Sequence, residues 1–390
     1  MRMREIPLSV PNLNIEIADH LRQCVETGWV STGGGFIAAF EEKTAAYVGV
    51  PEAVACQSGT AGLHAALRIL GVGPGDAVIV PTLTFIAAVN PVRYLGAEPI
   101  FMDCDGGLCL DPVKLERFCR DECRVEAGRL IDNATGNAVK AVIPVHVFGN
   151  LADMAAIMDT AARYGLKVLE DATEAMGSFY ASGEYAGRHA GTIGDMGVFS
   201  FNANKIITTG GGGMIVAGSG SEGRACIGRA RYLTATARDD ALYFRHDEVG
   251  YNYRMLNLQA ALGVSQIGEL ENFVAIKRRN YDLYAQYLQG IRGLSLFPFG
   301  EGLRPNRWFY SLLFEEEDRR DRIMRTLIAE GIQCRPVWKL VHTQKPYCAS
   351  RAYDIEKAHY WERHILNVPC STNLTEDDVR YVCERIAACG

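Results

Sequence analysis

The chain has 390 residues, 48% of them hydrophobic, and a formal net charge of −6. That length predicts two or three domains with a sizeable core, and the acidic balance, with no long Lys/Arg-rich run, argues against nucleic acid as a partner. No apolar run approaches the roughly 18 residues of a spanning helix, and the first residues lack the apolar centre of a signal peptide, so a cytoplasmic protein without a membrane partner is expected.

In chain order, residues 7–28 carry a helical pattern (Ile15, Ile17, Leu21, Val25), a glycine-rich loop with Trp29 and Ser31 follows, and helical spacing resumes over 36–47. From residue 53 short apolar runs alternate with helices. The spacing predicts strands over 53–57, 77–81, 98–103, 138–148, 167–171, 197–201 and 212–217, with helices over 60–70, 85–95, 111–120 and 151–164. Strands apolar on both faces, such as Val78-Ile79-Val80, belong in a mostly parallel sheet covered by helices. The fold class is therefore α/β, with a large domain over 1–255 built on a seven-stranded, mostly parallel sheet. Beyond it a helical stretch over 256–287, a strand over 308–314 and helices over 321–330 and 375–388 predict a smaller α+β C-terminal domain, 256–390.

Ligands of open α/β sheets bind outside the carboxyl ends of the strands, so the residues following each run matter most. Ser58-Gly59-Thr60-Ala61 opens a helix, which makes either an anion site or a plain N-cap. Phe85, after the second strand, could stack on a planar ring or pack in the core. His146 falls near the end of the long fourth run. Glu170 and Asp171 end the fifth, and a carboxylate there needs a cation or hydrogen-bond donors. Lys205 stands between two strand-like runs, followed by Thr208-Thr209 and four glycines. It is either a surface lysine in a glycine hairpin or an amine placed to form a Schiff base with an aldehyde cofactor. A lysine for an imine, an acid for a pyridinium and a helix N-terminus for a phosphate together describe a pyridoxal phosphate pocket.

The twelve cysteines are scattered, the nearest pair being Cys119 and Cys123, and read as reduced thiols. The eight histidines show no metal spacing, so no metal is expected.

Nearly the whole chain resembles the DegT/DnrJ/StrS family of nucleotide-sugar aminotransferases, which have the aspartate-aminotransferase-like (fold-type I) architecture. The matching segments include Gly28-Trp29, Phe40-Glu41, Ser58-Gly59-Thr60-Ala61, Pro81 through Phe85, Glu170-Asp171-Ala172, Ser200 through Lys205, and Gly250 through Met255. The resemblance implies pyridoxal 5'-phosphate as cofactor, Lys205 as Schiff-base lysine and proton carrier, and Asp171 as partner of the pyridine nitrogen. It places Glu174 near the ring hydroxyl, Phe85 on the ring face, and Gly59, Thr60, Ala61 and Ser200 at the phosphate. Asn252 would reach the phosphate of the partner subunit, which implies a homodimer with shared active sites. Trp29, Ser31, His146, Arg335, Trp338 and His342 are candidates for holding the sugar nucleotide.

The glycine at position 211 and the sequence around it resemble a subset that makes 4-amino sugars on UDP carriers. The implied reaction moves the amino group of L-glutamate to the C4 ketone of a UDP-linked 4-keto-6-deoxy (N-acetyl)hexosamine, in surface-glycan biosynthesis. Three other readings compete. A sugar dehydratase of the same fold carries histidine at the lysine position, so Lys205 argues against it. A nicotinamide dehydrogenase needs Gly-x-Gly-x-x-Gly between its first strand and helix, whereas Gly71-Val72-Gly73-Pro74-Gly75 follows a helix. A non-catalytic protein that binds the cofactor as a sensor would be separated by a turnover assay.

Overall fold

Each of the seven apolar runs forms a strand in the computed structural model, which describes residues 4–389. The strands are β1 (Ala53–Cys56), β2 (Asp76–Pro81), β3 (Glu98–Met102), β4 (Ala138–Val142), β5 (Lys167–Asp171), β6 (Met196–Ser200) and β7 (Gly213–Ala217). They lie in the order β1-β7-β6-β5-β4-β2-β3, with β7 antiparallel to both neighbours and every other pairing parallel. Every residue of β1, β6 and β7 is buried, because helices cover both faces.

The fourth run stops as a regular strand at Val142, short of the expected 148. Pro144 has no N–H to give the ladder, and the chain passes into a 3-10 turn, Val147–Gly149, with Phe148 at φ 57°. Three further strands widen the sheet to ten: a hairpin of Cys123–Glu126 and Arg129–Asp132, and Ala352–Tyr353, which runs parallel beside β3. The last of these comes from the C-terminal third of the chain.

A second, four-stranded antiparallel sheet holds β8 (Leu294–Leu296), β9 (Tyr310–Phe314), β10 (Arg335–Pro336) and β11 (Ile365–Val368) in the order β8-β9-β11-β10. The helical stretch expected over 256–287 is two helices, Asn257–Gly268 and Leu270–Tyr287, broken at Glu269. The final helix, Glu376–Ala388, starts on a capping box in which Thr375 Oγ1 accepts from Asp378 N and the Asp378 carboxylate accepts from Thr375 N. The N-terminal segment also reaches this second body: Ile6 N donates to Gly331 O (3.0 Å) and Leu8 O accepts from Cys370 N (2.8 Å). Two segments, 6–8 and 352–353, thus cross the division expected at 255/256. Among the described residues no helix is long and apolar enough to cross a membrane.

Candidate active site

Beyond the carboxyl ends of β1, β5 and β6 lies a cavity of about 460 Å³, walled on one side by the large sheet and on the other by Trp308, Arg335, Trp338 and Asn367 of the second body. Its floor is built from the residues that follow the strands, as the topology requires.

At one end the helix Gly59–Ile69 begins. Ser58 is extended, and its Oγ accepts the amide of Ala61 at 3.0 Å. The cap thus consumes Ala61's N–H, while Gly59 and Thr60 line the cavity with the positive helix end behind them. Gly59 is glycine for a steric reason: a Cβ there would lie 2.8 Å from Thr173 Cγ2 and 3.1 Å from Ser200 Cβ. Gly213 meets the same constraint, since its Cβ would stand 2.6 Å from the Ser58 carbonyl. These close approaches bring Ser58, Thr173 and Ser200 around one small volume, the shape and polarity a phosphate needs.

Asp171 ends β5, 2% exposed, and its Oδ1 accepts from Thr173 N at 3.0 Å. Burial pushes its carboxyl above the usual range, against the hydrogen bonds from Thr173 and the charge of Lys205. Glu174, one turn further on, is pushed up to about 7 by burial, with Lys205 opposing. The Lys205 amine stands between two groups: its Nζ is 3.8 Å from Glu174 Oε1 and 3.8 Å from the centre of the Trp308 ring. Burial lowers the lysine's pKa while Glu174 and Asp171 hold it up. Such an amine is desolvated and faces open volume, the condition for it to act as a nucleophile. Phe85 is 54% exposed and lines the same cavity, free to stack on a ring bound there.

Of the residues expected at the site, Gly59, Thr60, Phe85, Asp171, Glu174, Ser200, Lys205, Arg335 and Trp338 line the cavity. Five do not. His146 is fully buried beneath it, with Nδ1 accepting from Ala152 N (3.2 Å) and Nε2 3.0 Å from Glu170 Oε2. Because Nδ1 accepts, the ring proton sits on Nε2 and is donated to Glu170. Glu170 also accepts from the amides of Gly191, Ile193 and Gly194, so it fixes a loop while its neighbour Asp171 faces the cavity. His342 is tied by Nδ1 to Thr82 Oγ1 at 2.6 Å. Trp29, 60% exposed, lines a separate surface cleft with Phe36. The Ser31 carbonyl accepts from Asn257 N, and Asn252 is exposed, bridged through its backbone to Ala235.

Sequence reasoning missed Thr173, Asn202, Asn204, Trp308 and Asn367. Thr173 had a signal in the Asp-x-Thr spacing of an Asx turn, whereas Trp308 reads as one more aromatic of the strand expected over 308–314. Among the described residues no group of three His, Cys, Asp or Glu is placed to hold a metal ion.

An amine on a glycine-rich turn, a buried acid, an exposed aromatic and a helix N-terminus converge on one cavity of this α/β fold. They define a pyridoxal phosphate-dependent enzyme of fold-type I, the aspartate-aminotransferase-like architecture. More narrowly, the chain belongs to the DegT/DnrJ/EryC1/StrS aminotransferase family, whose sequence profile matches residues 11–387. It is 37% identical to a GDP-perosamine synthase of Caulobacter vibrioides over 96% of this chain and 95% of that one. It is 33% identical to a GDP-perosamine synthase of Escherichia coli O157:H7 over 98% of each chain. The crystal structure of the aminotransferase TlmJ from Streptoalloteichus hindustanus superposes with a TM-score of 0.88 at 26% identity, covering 99% of both chains.

Proposed function

We propose that the enzyme transfers the amino group of L-glutamate to the C4 ketone of a nucleotide-linked 4-keto-6-deoxy (N-acetyl)hexosamine, as a homodimer in which Asn252 completes the partner's phosphate site. The observation that carries this reading is the Lys205 amine, 3.8 Å from a buried carboxylate, in a cavity that also holds Asp171 and the capped end of the helix Gly59–Ile69. The sequence around Gly211 resembles enzymes that use UDP carriers, while two relatives are named for a GDP-linked sugar, which supports GDP as the carrier to test first.

When bound, pyridoxal phosphate supplies the aldehyde that captures the amino group and the ring that absorbs the electron pair. The chain's residues do the rest. Gly59, Thr60 and Ser200 hold the phosphate, Phe85 covers one ring face, and Asp171 keeps the ring nitrogen protonated. Lys205 Nζ takes the proton from Cα of glutamate and, in the second half, delivers one to C4 of the sugar. Arg335, exposed on the cavity rim, is the cation placed for an anionic group of either substrate.

The test is spectroscopic, then synthetic. Protein loaded with cofactor should show a visible band that moves on adding L-glutamate, and Lys205→Ala should lack that response. The glutamate-treated protein should then add an amine to the GDP-linked or the UDP-linked keto sugar, whichever shows the larger kcat/KM. A protein that takes up no cofactor, or whose band ignores glutamate, sinks the proposal.

A further inference from the structure

Glu174 is held in a way that contact with a cofactor does not require. It is 6% exposed, on the turn that follows β5, and its two carboxylate oxygens have different duties. Oε2 accepts the backbone N–H of Phe148 at 2.8 Å, and Phe148 is itself held in the left-handed region at φ 57°. Oε1 is left facing the Lys205 amine at 3.8 Å. The backbone around Glu174 is fixed as well: Asn306 Nδ2 donates to its carbonyl at 2.9 Å and to that of Met176 at 2.9 Å. One oxygen is therefore anchored and the other is aimed.

We propose that Glu174 is the proton partner of Lys205: its Oε1 takes the proton that the Lys205 ammonium must lose before the amine can react, and gives it back when the amine is freed. The step is a simple exchange, in which ammonium and carboxylate become neutral amine and carboxylic acid, with the proton passing from Nζ to Oε1 and no other reactant needed. A separation of 3.8 Å is one small side-chain movement, or one bridging water, from direct contact. The Trp308 ring on the other side of the amine keeps it within that reach. The proposal rests on the aminotransferase reading above.

The charged and titratable groups around the pair are few. Glu174 is faced by Lys205, by Asp171 and by the buried thiol of Cys109, and Lys205 by Glu174 and Asp171. Asp171 accepts the Thr173 amide on Oδ1, and among the described residues Glu174 is the carboxylate with an oxygen within 4.0 Å of the amine. Burial brings Glu174 to about 7, close to working pH, where a group can both accept and release a proton.

The proposal is tested first on the cofactor-free protein, by the pH dependence of Lys205 acetylation with acetic anhydride, followed by peptide mass spectrometry. Glu174→Gln is nearly isosteric and can still accept from Phe148 N. Removing the opposite charge should lower the Lys205 titration midpoint by about one pH unit or more. In the loaded enzyme the rate of the glutamate half-reaction should lose its inflection near pH 7 in Glu174→Gln and fall by roughly 10-fold or more at neutral pH. A midpoint unchanged from wild type, or a rate depressed equally at every pH, overturns the proposal. Because the acetylation needs neither cofactor nor glutamate, it is read independently of the aminotransferase assignment.

Discussion

Trp308 holds Lys205 from two directions: the face of its ring centre lies 3.8 Å from Lys205 Nζ, and its Nε1 donates at 2.7 Å to the carbonyl of Asn204, the residue before the lysine. Behind it, the buried Lys277 amine donates to the Trp308 carbonyl at 2.7 Å, so the tryptophan itself cannot drift. A desolvated cation–π contact is worth about 0.5–2 kcal/mol, and the indole hydrogen bond about 1 kcal/mol. Trp308→Ala should therefore slow the glutamate half-reaction by roughly 10-fold or more, at about 1.4 kcal/mol per decade. Trp308→Phe keeps the ring face and loses the N–H, and should fall between the two. Stopped-flow absorbance gives all three rates; equal rates for the alanine and phenylalanine variants would remove the ring contact from the account.

The cradle at the start of the helix Gly59–Ile69 makes a steric prediction. A methyl group at Gly59 would sit 2.8 Å from Thr173 Cγ2 and 3.1 Å from Ser200 Cβ, pushing apart the residues proposed to hold the phosphate. Overpacking of this kind costs about 1–3 kcal/mol. Gly59→Ala should weaken pyridoxal phosphate binding by roughly 10-fold or more, measured by titrating the cofactor-free protein. Binding as tight as wild type would mean that this helix end does not receive the phosphate.

Glu41 ties the site's framework together from a distance. It is 6% exposed, and its carboxylate accepts from Ala55 N (2.7 Å), Arg254 Nη1 (2.5 Å) and Arg231 Nη1 (3.0 Å). It thereby joins the helix Gly35–Val48 to β1 and to the segment carrying Asn252. Removing one member of a buried charge cluster typically costs about 3–5 kcal/mol. Glu41→Ala should lower the free energy of unfolding by that amount, seen as a lower urea midpoint at unchanged slope, and a loss under about 1 kcal/mol would show that water replaces the network.

The seven strands were legible because each is a short apolar run buried on both faces, and the residues that end them were legible because open sheets bind ligands there. Pairings whose partners are far apart in sequence were not. Ala352–Tyr353 pairs with β3 over two residues, a run too short and too ordinary in composition to carry a signal. His146 is one of the candidates for the sugar nucleotide, and the sequence leaves open whether such a histidine binds or packs. Its ring turns inward to Glu170, a choice made by which face of the sheet the side chain leaves from. Trp308 is more than a hundred positions from Lys205, and only the second body's docking brings the two together. The fold was thus written in local pattern, and half of the cavity wall in contacts that no local pattern encodes.

Asp103, at the end of β3, carries the last prediction. It is fully buried, and its carboxylate accepts from Lys114 Nζ (2.8 Å) and from the amides of Glu356 (3.0 Å), Lys357 (3.0 Å) and Ala358 (2.8 Å). One carboxylate thus anchors the start of the helix Lys357–His364 to the edge of the large sheet. Burial alone would raise its pKa, but Lys114 and the three amides outweigh burial and hold the carboxyl below the usual range. A depressed folded-state pKa stabilises the fold above the unfolded value of about 3.9, and that contribution is lost as pH falls through the folded value. Asp103→Asn should cost about 2–4 kcal/mol at neutral pH, because it leaves the Lys114 amine without its buried counter-charge. The gap to wild type should begin to narrow as pH drops below about 4 and close only below the depressed folded value, where the wild-type carboxyl is itself neutralised. Denaturation midpoints for both proteins over a descending pH series measure that gap, and a gap of constant size would show that the charge of Asp103 contributes nothing beyond its shape.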